Sequence, residues 1–592
     1  MRHEHSFVSD QTMARAGLFN VKLRPLLFIL AVSVFVGFPM LVYGPLVDGH
    51  DTYEHLNFTK YFSEQFWRGD IYPRWLVDMN HGLGSPSYFV FPPLPAYLCT
   101  LLQPAAKVLH FNAFNLAAFL PLLGSGICAF LWLHTMVRQE LAAVGAALYM
   151  MMPYHLAIDF YRRCAIPECW AFMWMPLILY FTSRVIAGKQ RAVAGLAMAY
   201  ALMIFSHVVT LVMFFPIPLA LAIIQSPAGQ RVRSGFLVGA AMALGAGISS
   251  VYLLSALANA QYIPASRLVS RDFYQVANQI LSFGKGLFVD SSDGWFRFLQ
   301  AVSWTVVNMV LLATICGFIA LKFGPRDSRK TVALWIAVCC SVVVMMSRLS
   351  APLWVNFHRL HEAIQFPWRF NALLCLGSLA LLASCLSNLP PDWGLPRAIT
   401  LYGIAMITAT WLFGFGNVLW RYKADVPPGP PNERHLISDN DGWLFAWLPP
   451  GTNQRSSLIA SQGPRARFKE GDGIAQVQLW KPRQIELETK STAGGWVMIN
   501  QFYYPTWNAE LIGQTRPVEV RAAMPEGLLE TKVPAGIQEI RVAIPVSRAE
   551  YLGRWLSALC TLLCIILGSR KEPKVTSSEI DSPPRSAVAA PL

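Results

Sequence analysis

The sequence has 592 residues, of which 54% are hydrophobic and only 14% are charged, and its mean hydropathy is +0.40. This composition excludes an ordinary water-soluble enzyme and a disordered chain, and it indicates a polytopic membrane protein. The formal net charge is +14, from 48 Lys and Arg against 34 Asp and Glu. The basic residues lie in short segments between apolar runs, which is where membrane proteins have Lys and Arg on the cytoplasmic side. The positive charge therefore indicates membrane topology, and no nucleic-acid partner is predicted.

Apolar runs close to the ~20 residues that cross a bilayer as a helix recur along the chain, and they predict an α-helical bundle of about 12–14 spans. Thirteen such runs occur. Both termini are predicted to be cytoplasmic, which requires an even number of spans, so the assignment of one run as a single span is expected to be wrong. The run at 90–109 is the weakest because it contains four prolines, and a re-entrant segment is the alternative. The runs lie at residues 22–43, 90–109, 113–136, 141–157, 168–186, 192–206, 207–225, 234–258, 298–321, 331–347, 370–388, 397–418 and 551–568.

Short basic segments indicate which side of the membrane each loop faces. Residues 183–191, 230–233 and 322–330 are rich in Lys and Arg, as loops on the cytoplasmic side of a membrane are. The N-terminal tail, residues 1–21, is predicted to lie on the same side, as is a disordered C-terminal tail, residues 569–592. The loop that follows the first span, residues 44–89, is then predicted to face outward.

This first outward loop contains a density of ionisable residues that is unusual in the chain. A helix that starts near Asp51 places Asp51, His55, Phe58 and Phe62 on one face, so a carboxylate and an imidazole head an apolar stripe. A buried carboxylate is either paired or shifted in pKa, which makes Asp51 a catalytic candidate with His55 beside it. The alternative is an ordinary helix N-terminus, with Asp48 as its cap and Asp51 stabilised by the helix dipole.

A second predicted outward loop, residues 158–172, contains Arg162, Arg163 and Glu168. Guanidinium groups match the geometry of phosphate oxygens, so this arginine pair is a candidate for binding an anionic lipid head group. The alternative is a pair of interfacial arginines whose partners are Asp159 or Glu168.

Two later segments add further candidates. His207 interrupts the apolar stretch 192–225 and marks an outward hairpin, where it is either functional or a helix-end group. Arg369 stands between Trp368 and Phe370 at the mouth of a span, in a segment that also contains Arg348. An arginine in this position either binds a phosphate diester at head-group depth or anchors the helix in an aromatic belt.

The composition becomes polar and rich in turn residues from residue 421 to 548. Short alternating stretches separated by Gly and Pro predict a small antiparallel β-sandwich outside the membrane, tethered by a last span at 549–568. Its aromatic cluster, Phe502, Tyr503, Tyr504 and Trp507, either stacks on sugars or packs in the sandwich and against the membrane region (residues 22–420).

Four stretches together resemble a known family. HDTYEH (50–55), RRCAIPECWAF (162–172), QFPWRF (365–370) and FYYPTWNAELIGQTRPVEV (502–520) look like the bacterial multi-pass membrane proteins labelled 6-pyruvoyl-tetrahydropterin synthase-related, which are close to the YfhO-like proteins. The soluble pterin enzyme is similar in name only, since the chain has no convincing histidine zinc site. The resemblance implies a GT-C-like transmembrane domain over residues 22–420 and an outer face that carries the activity.

The resemblance also implies a function. GT-C enzymes transfer a sugar from a polyprenyl-phosphate carrier to a glycan, lipid or protein acceptor on the outer face of the cytoplasmic membrane. Asp51 stands where that family pattern has its acid, but His50 precedes it in place of a second acid. No metal ligands are predicted, and a requirement for a divalent metal stays open.

We therefore expect an inverting glycosyltransferase in which Asp51 is the general base and His55 orients it or the substrate. The expected phosphate-binding and substrate-binding residues are Arg74, Arg162, Arg163, Glu168, His207, Arg348 and Arg369. The alternatives are a lipid or polysaccharide transporter, or flippase, and a non-catalytic envelope scaffold whose β domain binds a partner.

Overall fold

The computed structural model describes residues 22–46, 49–263, 279–281, 294–388, 447–514 and 516–570, with isolated residues between 408 and 419. Asp48, most of the predicted run at 397–418 and the start of the predicted β domain, residues 421–446, lie outside these ranges. So do nearly all of the two predicted tails.

Within the described part of the chain, nine helices are long and apolar enough to cross a membrane. Ala228–Ile248 and Ser250–Tyr262 add a tenth if this pair, which is bent by 73°, counts as one span. In the most apolar 18 residues of Pro367–Ser387, 89% are buried inside the protein, and in those of Arg548–Ser569 only 11% are. The former helix is therefore central and the latter peripheral. The nine are Leu23–Tyr43, Ala113–Leu133, Gln139–Arg163, Ile166–Ile186, Val208–Gln225, Phe298–Phe323, Arg326–Met346, Pro367–Ser387 and Arg548–Ser569.

Shorter helices connect these spans or pack beside them. Two of them, Leu94–Val108 and Arg191–Ser206, correspond to predicted apolar runs but fall short of the ~20 residues that a perpendicular span needs. The others in the first half of the chain are Thr52–Trp67, Met79–Gly82 and Ser87–Val90, and those in the second half are Arg348–Ser350, Ala351–Asn356, His358–Ile364 and Gln454–Ser461.

One predicted loop is wrong. Residues 158–172 form the end of a π-helix, Tyr154–Arg163, and the start of the helix Ile166–Ile186, with only Cys164 and Ala165 between them. The prediction failed because charged residues usually mark a loop, whereas here they are paired with one another inside the protein. The predicted interruption at His207 is confirmed, since Arg191–Ser206 ends and Val208–Phe214 begins there.

The β-sandwich is confirmed in the described residues from 447 onward. Its strands, β1 to β9, are Ala466–Gly471, Ile474–Lys481, Gln484–Ser491, Gly495–Phe502, Asn508–Leu511, Arg516–Val518, Val520–Ala523, Leu528–Val533 and Gly536–Ala543. The four-stranded sheet has the order β1-β4-β8-β7 and the five-stranded sheet the order β2-β3-β9-β5-β6, with antiparallel pairing throughout. Buried side chains from both sheets, including Leu487 and Val497, form one core.

The sandwich is joined to the first loop by buried hydrogen bonds. Trp75 Nε1 donates to Gln501 Oε1 at 2.6 Å, and the Gln501 amide donates to the Gly82 carbonyl at 2.7 Å. A further bond joins the sandwich to the helical bundle, since Tyr504, which is fully buried, donates its hydroxyl to Asn259 at 2.9 Å. Three of the four aromatic residues predicted as a cluster are therefore structural, since Phe502, Tyr504 and Trp507 are all at most 3% exposed.

Gly84 provides a test of this junction. It adopts a φ of +84°, and a Cβ there would lie 2.4 Å from Gln501 Oε1 and 2.6 Å from the Trp75 ring. Gly84→Ala is expected to lower the thermal unfolding midpoint of the purified protein and to increase proteolysis near residue 447. Gly82→Ala is the matched control, because Gly82 has a φ of +82° and nothing within 4 Å. It is expected to cost only the left-handed strain, about 1–2 kcal/mol, so equal effects of the two variants would contradict a crowded junction.

Candidate functional site

A cavity of ≈ 300 Å³ lies where the first loop meets the middle of the helical bundle. This volume is at the lower end of the range for small-molecule sites, about 300–1,000 Å³. One end is polar and the remaining walls are apolar. The polar end contains Asp51, Glu54, His55, Arg163, Glu168, His207, Gln365 and Arg369, and the walls include Phe58, Tyr88, Phe91, Pro92, Pro95, Phe114, Val208, Val209 and Tyr252.

Backbone hydrogen bonds place the first loop against the end of the π-helix. The amide of Asp51 donates to the Arg163 carbonyl at 2.8 Å, and the amide of His50 donates to the Arg162 carbonyl at 3.3 Å. The helix Thr52–Trp67 starts immediately after Asp51, so its first turn also carries Glu54 and His55 into the cavity. Two motifs more than a hundred residues apart thereby form one site.

The chain reverses sharply after Arg163. Cys164 takes the left-handed conformation with a φ of 57°, and Pro167 lies in the first turn of the next helix, where it needs no hydrogen-bond donor. The amide of Ala165 returns to the Asp159 carbonyl at 2.9 Å. Arg163 and Glu168 are therefore brought face to face. π-helical turns are frequent at functional sites.

Arg163 is the centre of a buried ionic network. Its guanidinium contacts the carboxylates of Asp159, Glu168 at 2.7 Å and Asp51 at 3.3 Å, and it lies 4.9 Å from the centre of the Trp368 ring. The Tyr154 hydroxyl donates to the other oxygen of Glu168 at 3.1 Å. Because three carboxylates surround it, Arg163 orders the acids of the site and is a poor candidate for direct phosphate binding.

Arg369 is held differently. Its Nη1 donates to the Ile364 carbonyl at 2.9 Å and to Gln365 Oε1 at 3.2 Å, while its Nε lies 3.7 Å from Glu168 Oε2. That Nε is buried and has no hydrogen-bond partner among the described residues. Of the two arginines that line the cavity, Arg369 therefore has the greater capacity for an added anion.

The two histidines of the cavity have distinct environments. His55 lies one turn after Asp51, and burial lowers its pKa below the usual 6.5, with Arg163 acting in the same direction and Asp51 opposing it. His55 is therefore neutral at pH 7. His207 caps the helix Val208–Phe214, since its Nδ1 lies 2.7 Å from Thr210 Oγ1 and accepts the Thr210 amide at 3.4 Å.

Six of the nine residues predicted for the site line this cavity, namely Asp51, His55, Arg163, Glu168, His207 and Arg369. The other three lie elsewhere. Arg74 is ion-paired with Glu550 and lines a separate cleft beside the last span. Arg162 is half-buried outside the cavity, and Arg348 is exposed in a short helical turn.

Several residues of the site were not predicted. Asp159 was considered only as a partner of an interfacial arginine, yet it is fully buried in the network. Glu54 follows Asp51 by three residues and could have been assigned to the same face. Tyr252 reaches the cavity from a distant helix, and nothing in its local sequence signals this. Gln365 lies just after the helix His358–Ile364 and begins the stretch QFPWRF, which the resemblance quotes without giving this residue a role.

No group of three or more His, Cys, Asp or Glu side chains arranged to hold a metal ion occurs among the residues that the structure describes. The three acids that come together share Arg163 as their cation.

The sequence comparison identifies one family model. Residues 88–351, somewhat under half of the chain, match the 6-pyruvoyl-tetrahydropterin synthase related domain, which is described as a membrane protein. This match confirms the resemblance to that family and the membrane character of the chain. The YfhO-like relation and a bacterial origin stay predictions. No curated protein matches the sequence.

Solved structures of membrane glycosyltransferases are among those that the chain resembles. The mycobacterial arabinofuranosyltransferase AftD aligns with a TM-score of 0.43 and 16% identity over 66% of this chain and 28% of that one. The oligosaccharyltransferase of Archaeoglobus fulgidus gives 0.40 and 12% over 75% and 60%, and ArnT from Cupriavidus metallidurans gives 0.27 and 14% over 61% and 77%. The chain spans less than a third of the length of AftD.

Proposed function

We propose that this protein is a membrane glycosyltransferase that moves a sugar from a polyprenyl-phosphate carrier to an acceptor on the outer face of the cytoplasmic membrane. The observation that carries the proposal is the cavity, in which an arginine and an accessible carboxylate, Arg369 and Asp51, share the lining with apolar side chains. A lipid-linked sugar phosphate has the complementary form, since it joins a charged phosphate to a long apolar chain.

Asp51 is the most accessible of the three acids that contact Arg163, and we assign it as the general base. Its side chain is 30% exposed, whereas Asp159 and Glu168 are 0% and 1% exposed and are engaged by Arg163. An accessible carboxylate can meet an incoming acceptor hydroxyl, and the two buried ones cannot do so without breaking the network.

The reaction then follows from the arrangement of these groups. Asp51 takes the proton of the acceptor hydroxyl while the oxygen of that hydroxyl forms a bond to the anomeric carbon of the sugar. The bond from that carbon to the phosphate oxygen breaks, and the electron pair leaves with the polyprenyl phosphate. Attack from the side opposite the leaving group inverts the anomeric centre. Arg369 stabilises the charge that develops on the departing phosphate.

Arg163, Asp159 and Glu168 have a positioning role in this proposal. Arg163 fixes the Asp51 carboxylate from one side at 3.3 Å, and Glu168 stands between Arg163 and Arg369. A network of this kind holds reacting groups in place before substrate binds, so less reorganisation is needed during the reaction.

The proposal is tested by comparing envelope glycans and glycolipids in wild-type cells, in cells that lack the protein and in the same cells complemented with it. We expect one glycosylated species to disappear, its unmodified acceptor and lipid donor to accumulate, and complementation to reverse both changes. Unchanged glycan structures with an altered distribution of a lipid between the two leaflets would instead favour the transport alternative. An unchanged glycan and lipid profile would favour the scaffold alternative.

Arg369→Gln is expected to weaken the binding of polyprenyl phosphate to the purified protein in nanodiscs by about tenfold or more, because a charge-assisted hydrogen bond contributes about 1.5–3 kcal/mol. Folding should be retained, since Glu168 keeps its contacts with Arg163 and Tyr154. Native mass spectrometry measures the bound fraction. Arg348→Gln is the control, because it removes the same charge from an exposed position outside the cavity. Equal losses in both variants would contradict a specific role for Arg369.

A further inference from the structure

A second cleft, of ≈ 780 Å³, lies beside the last span and is separate from the cavity described above. Its polar rim is formed by Tyr72, Arg74, Arg483 and Arg554, which come from the first loop, the β-sandwich and the helix Arg548–Ser569. Apolar residues form most of the remainder, including Ile71, Leu94, Leu202, Phe205 and Val251.

The charges around this cleft favour an anion. Glu550 accepts from Arg483 Nη1 at 3.0 Å, lies 3.3 Å from Arg74 Nε, and is 3.9 Å from Arg554 Nη2. One carboxylate is therefore shared by three guanidinium groups. Asp70 also lines the cleft, and its oxygens accept from the Gln65 amide and the Tyr72 backbone. The three arginines and two acids leave one positive charge in excess.

Two buried donors at the rim have no hydrogen-bond partner among the described residues. Arg74 is 2% exposed and uses Nη2 to bind the Val251 carbonyl at 2.7 Å, but its Nη1 has none. The Tyr72 hydroxyl is likewise unpartnered, and the Arg74 guanidinium lies 3.9 Å from the Tyr72 ring. Leaving a buried donor unpaired costs about 1–3 kcal/mol, so a ligand that accepts from both would stabilise the site.

We propose that this cleft binds the phosphate group of an anionic membrane lipid, with Arg74 Nη1, the Tyr72 hydroxyl and Arg554 as its donors. Arg554 lies in the second turn of the last span, at the depth where head groups lie in a bilayer. The lipid's acyl chain would lie along Leu202 and Phe205. Burial raises the pKa of Tyr72 to about 12, so the hydroxyl stays protonated and can donate.

A bound lipid here would have a structural consequence. The cleft is the place where the first loop, the β-sandwich and the last span meet, since Arg74, Arg483 and Glu550 belong to these three parts in turn. A phosphate that bridges Arg74 and Arg554 would join the loop to the span, and the sandwich is already fixed to both through Glu550. We therefore expect lipid binding to stabilise the junction without taking part in sugar transfer.

The test is native mass spectrometry of the full chain in nanodiscs that contain phosphatidylglycerol or phosphatidylcholine, with inorganic phosphate in a third arm. We expect phosphatidylglycerol to be retained preferentially, and Tyr72→Phe and Arg554→Gln each to reduce that retention by about tenfold. Arg548→Gln, an exposed charge on the same helix outside the cleft, is the control and should retain the lipid. Neither test variant breaks the Arg74–Glu550 pair, so both are expected to fold.

Each outcome of this experiment either supports or overturns the proposed lipid site. Displacement of phosphatidylglycerol by millimolar inorganic phosphate would support phosphate recognition and identify free phosphate as a competing source. Equal retention of the two lipids, or unchanged retention in both test variants, would overturn the proposal. Because the readout is lipid retention, it is independent of whether Asp51 catalyses transfer.

Discussion

Asp51→Asn is expected to lower the rate of sugar transfer by about 10²–10⁴-fold, the usual contribution of a general base. Asparagine keeps the size of the side chain and can still face Arg163, but it cannot accept the proton of the acceptor hydroxyl. Binding of the lipid donor should change little, since its phosphate is assigned to Arg369. The measurement is transfer of a radiolabelled sugar from the donor identified in the cell comparison, at equal amounts of membrane-inserted protein.

Two further variants isolate this effect. Glu64→Gln removes an exposed carboxylate from the same helix and should leave transfer unchanged. His55→Gln should leave the pH dependence of transfer near and above pH 7 unchanged. Burial lowers the pKa of His55 below its usual 6.5, so the imidazole is already neutral at pH 7 and charges only at lower pH. Its protonation is therefore not what limits activity near neutrality. Wild-type activity in Asp51→Asn would exclude the general-base assignment.

The fold could largely be predicted because its main features depend on the local composition and pattern of the sequence. The β-sandwich followed from alternating residues and Gly-Pro turns, and the spans from apolar runs near the bilayer thickness. The π-helix Tyr154–Arg163 could not be predicted in this way. Its charged residues resemble those of a loop, and only their pairing with Glu168 and with Asp51, from another part of the chain, makes burial favourable.

The site could be predicted only in part, for a related reason. The spacing of Asp51 and His55 placed both on the face that enters the cavity, because this depends on one helix. Arg74 looked equivalent to Arg163 in sequence, but its partner Glu550 belongs to the last span. Which arginine shares a cavity with Asp51 depends on how distant helices pack, and a charge pattern along the chain does not contain that information.

The second large effect concerns Arg163. Arg163→Met is expected to destabilise the protein by about 3–5 kcal/mol, because it leaves the buried carboxylate of Asp159 without its cation and leaves Glu168 with only Arg369, at 3.7 Å. A lower thermal unfolding midpoint in detergent, followed by tryptophan fluorescence, and a smaller monodisperse fraction on size exclusion would show this. Arg162→Met is the matched control, since Arg162 is the half-buried neighbour outside the cavity.

A double variant separates charge from packing in this network. Asp159→Asn added to Arg163→Met removes the carboxylate that lost its cation, so the double variant should be more stable than Arg163→Met alone. If its midpoint is no higher, the loss in Arg163→Met comes from the contact between the guanidinium and the Trp368 ring. Transfer should stay low in either case, because Asp51 loses the guanidinium that holds its carboxylate. Recovery of stability without recovery of transfer would therefore assign Arg163 two separable roles, one in folding and one in positioning the base.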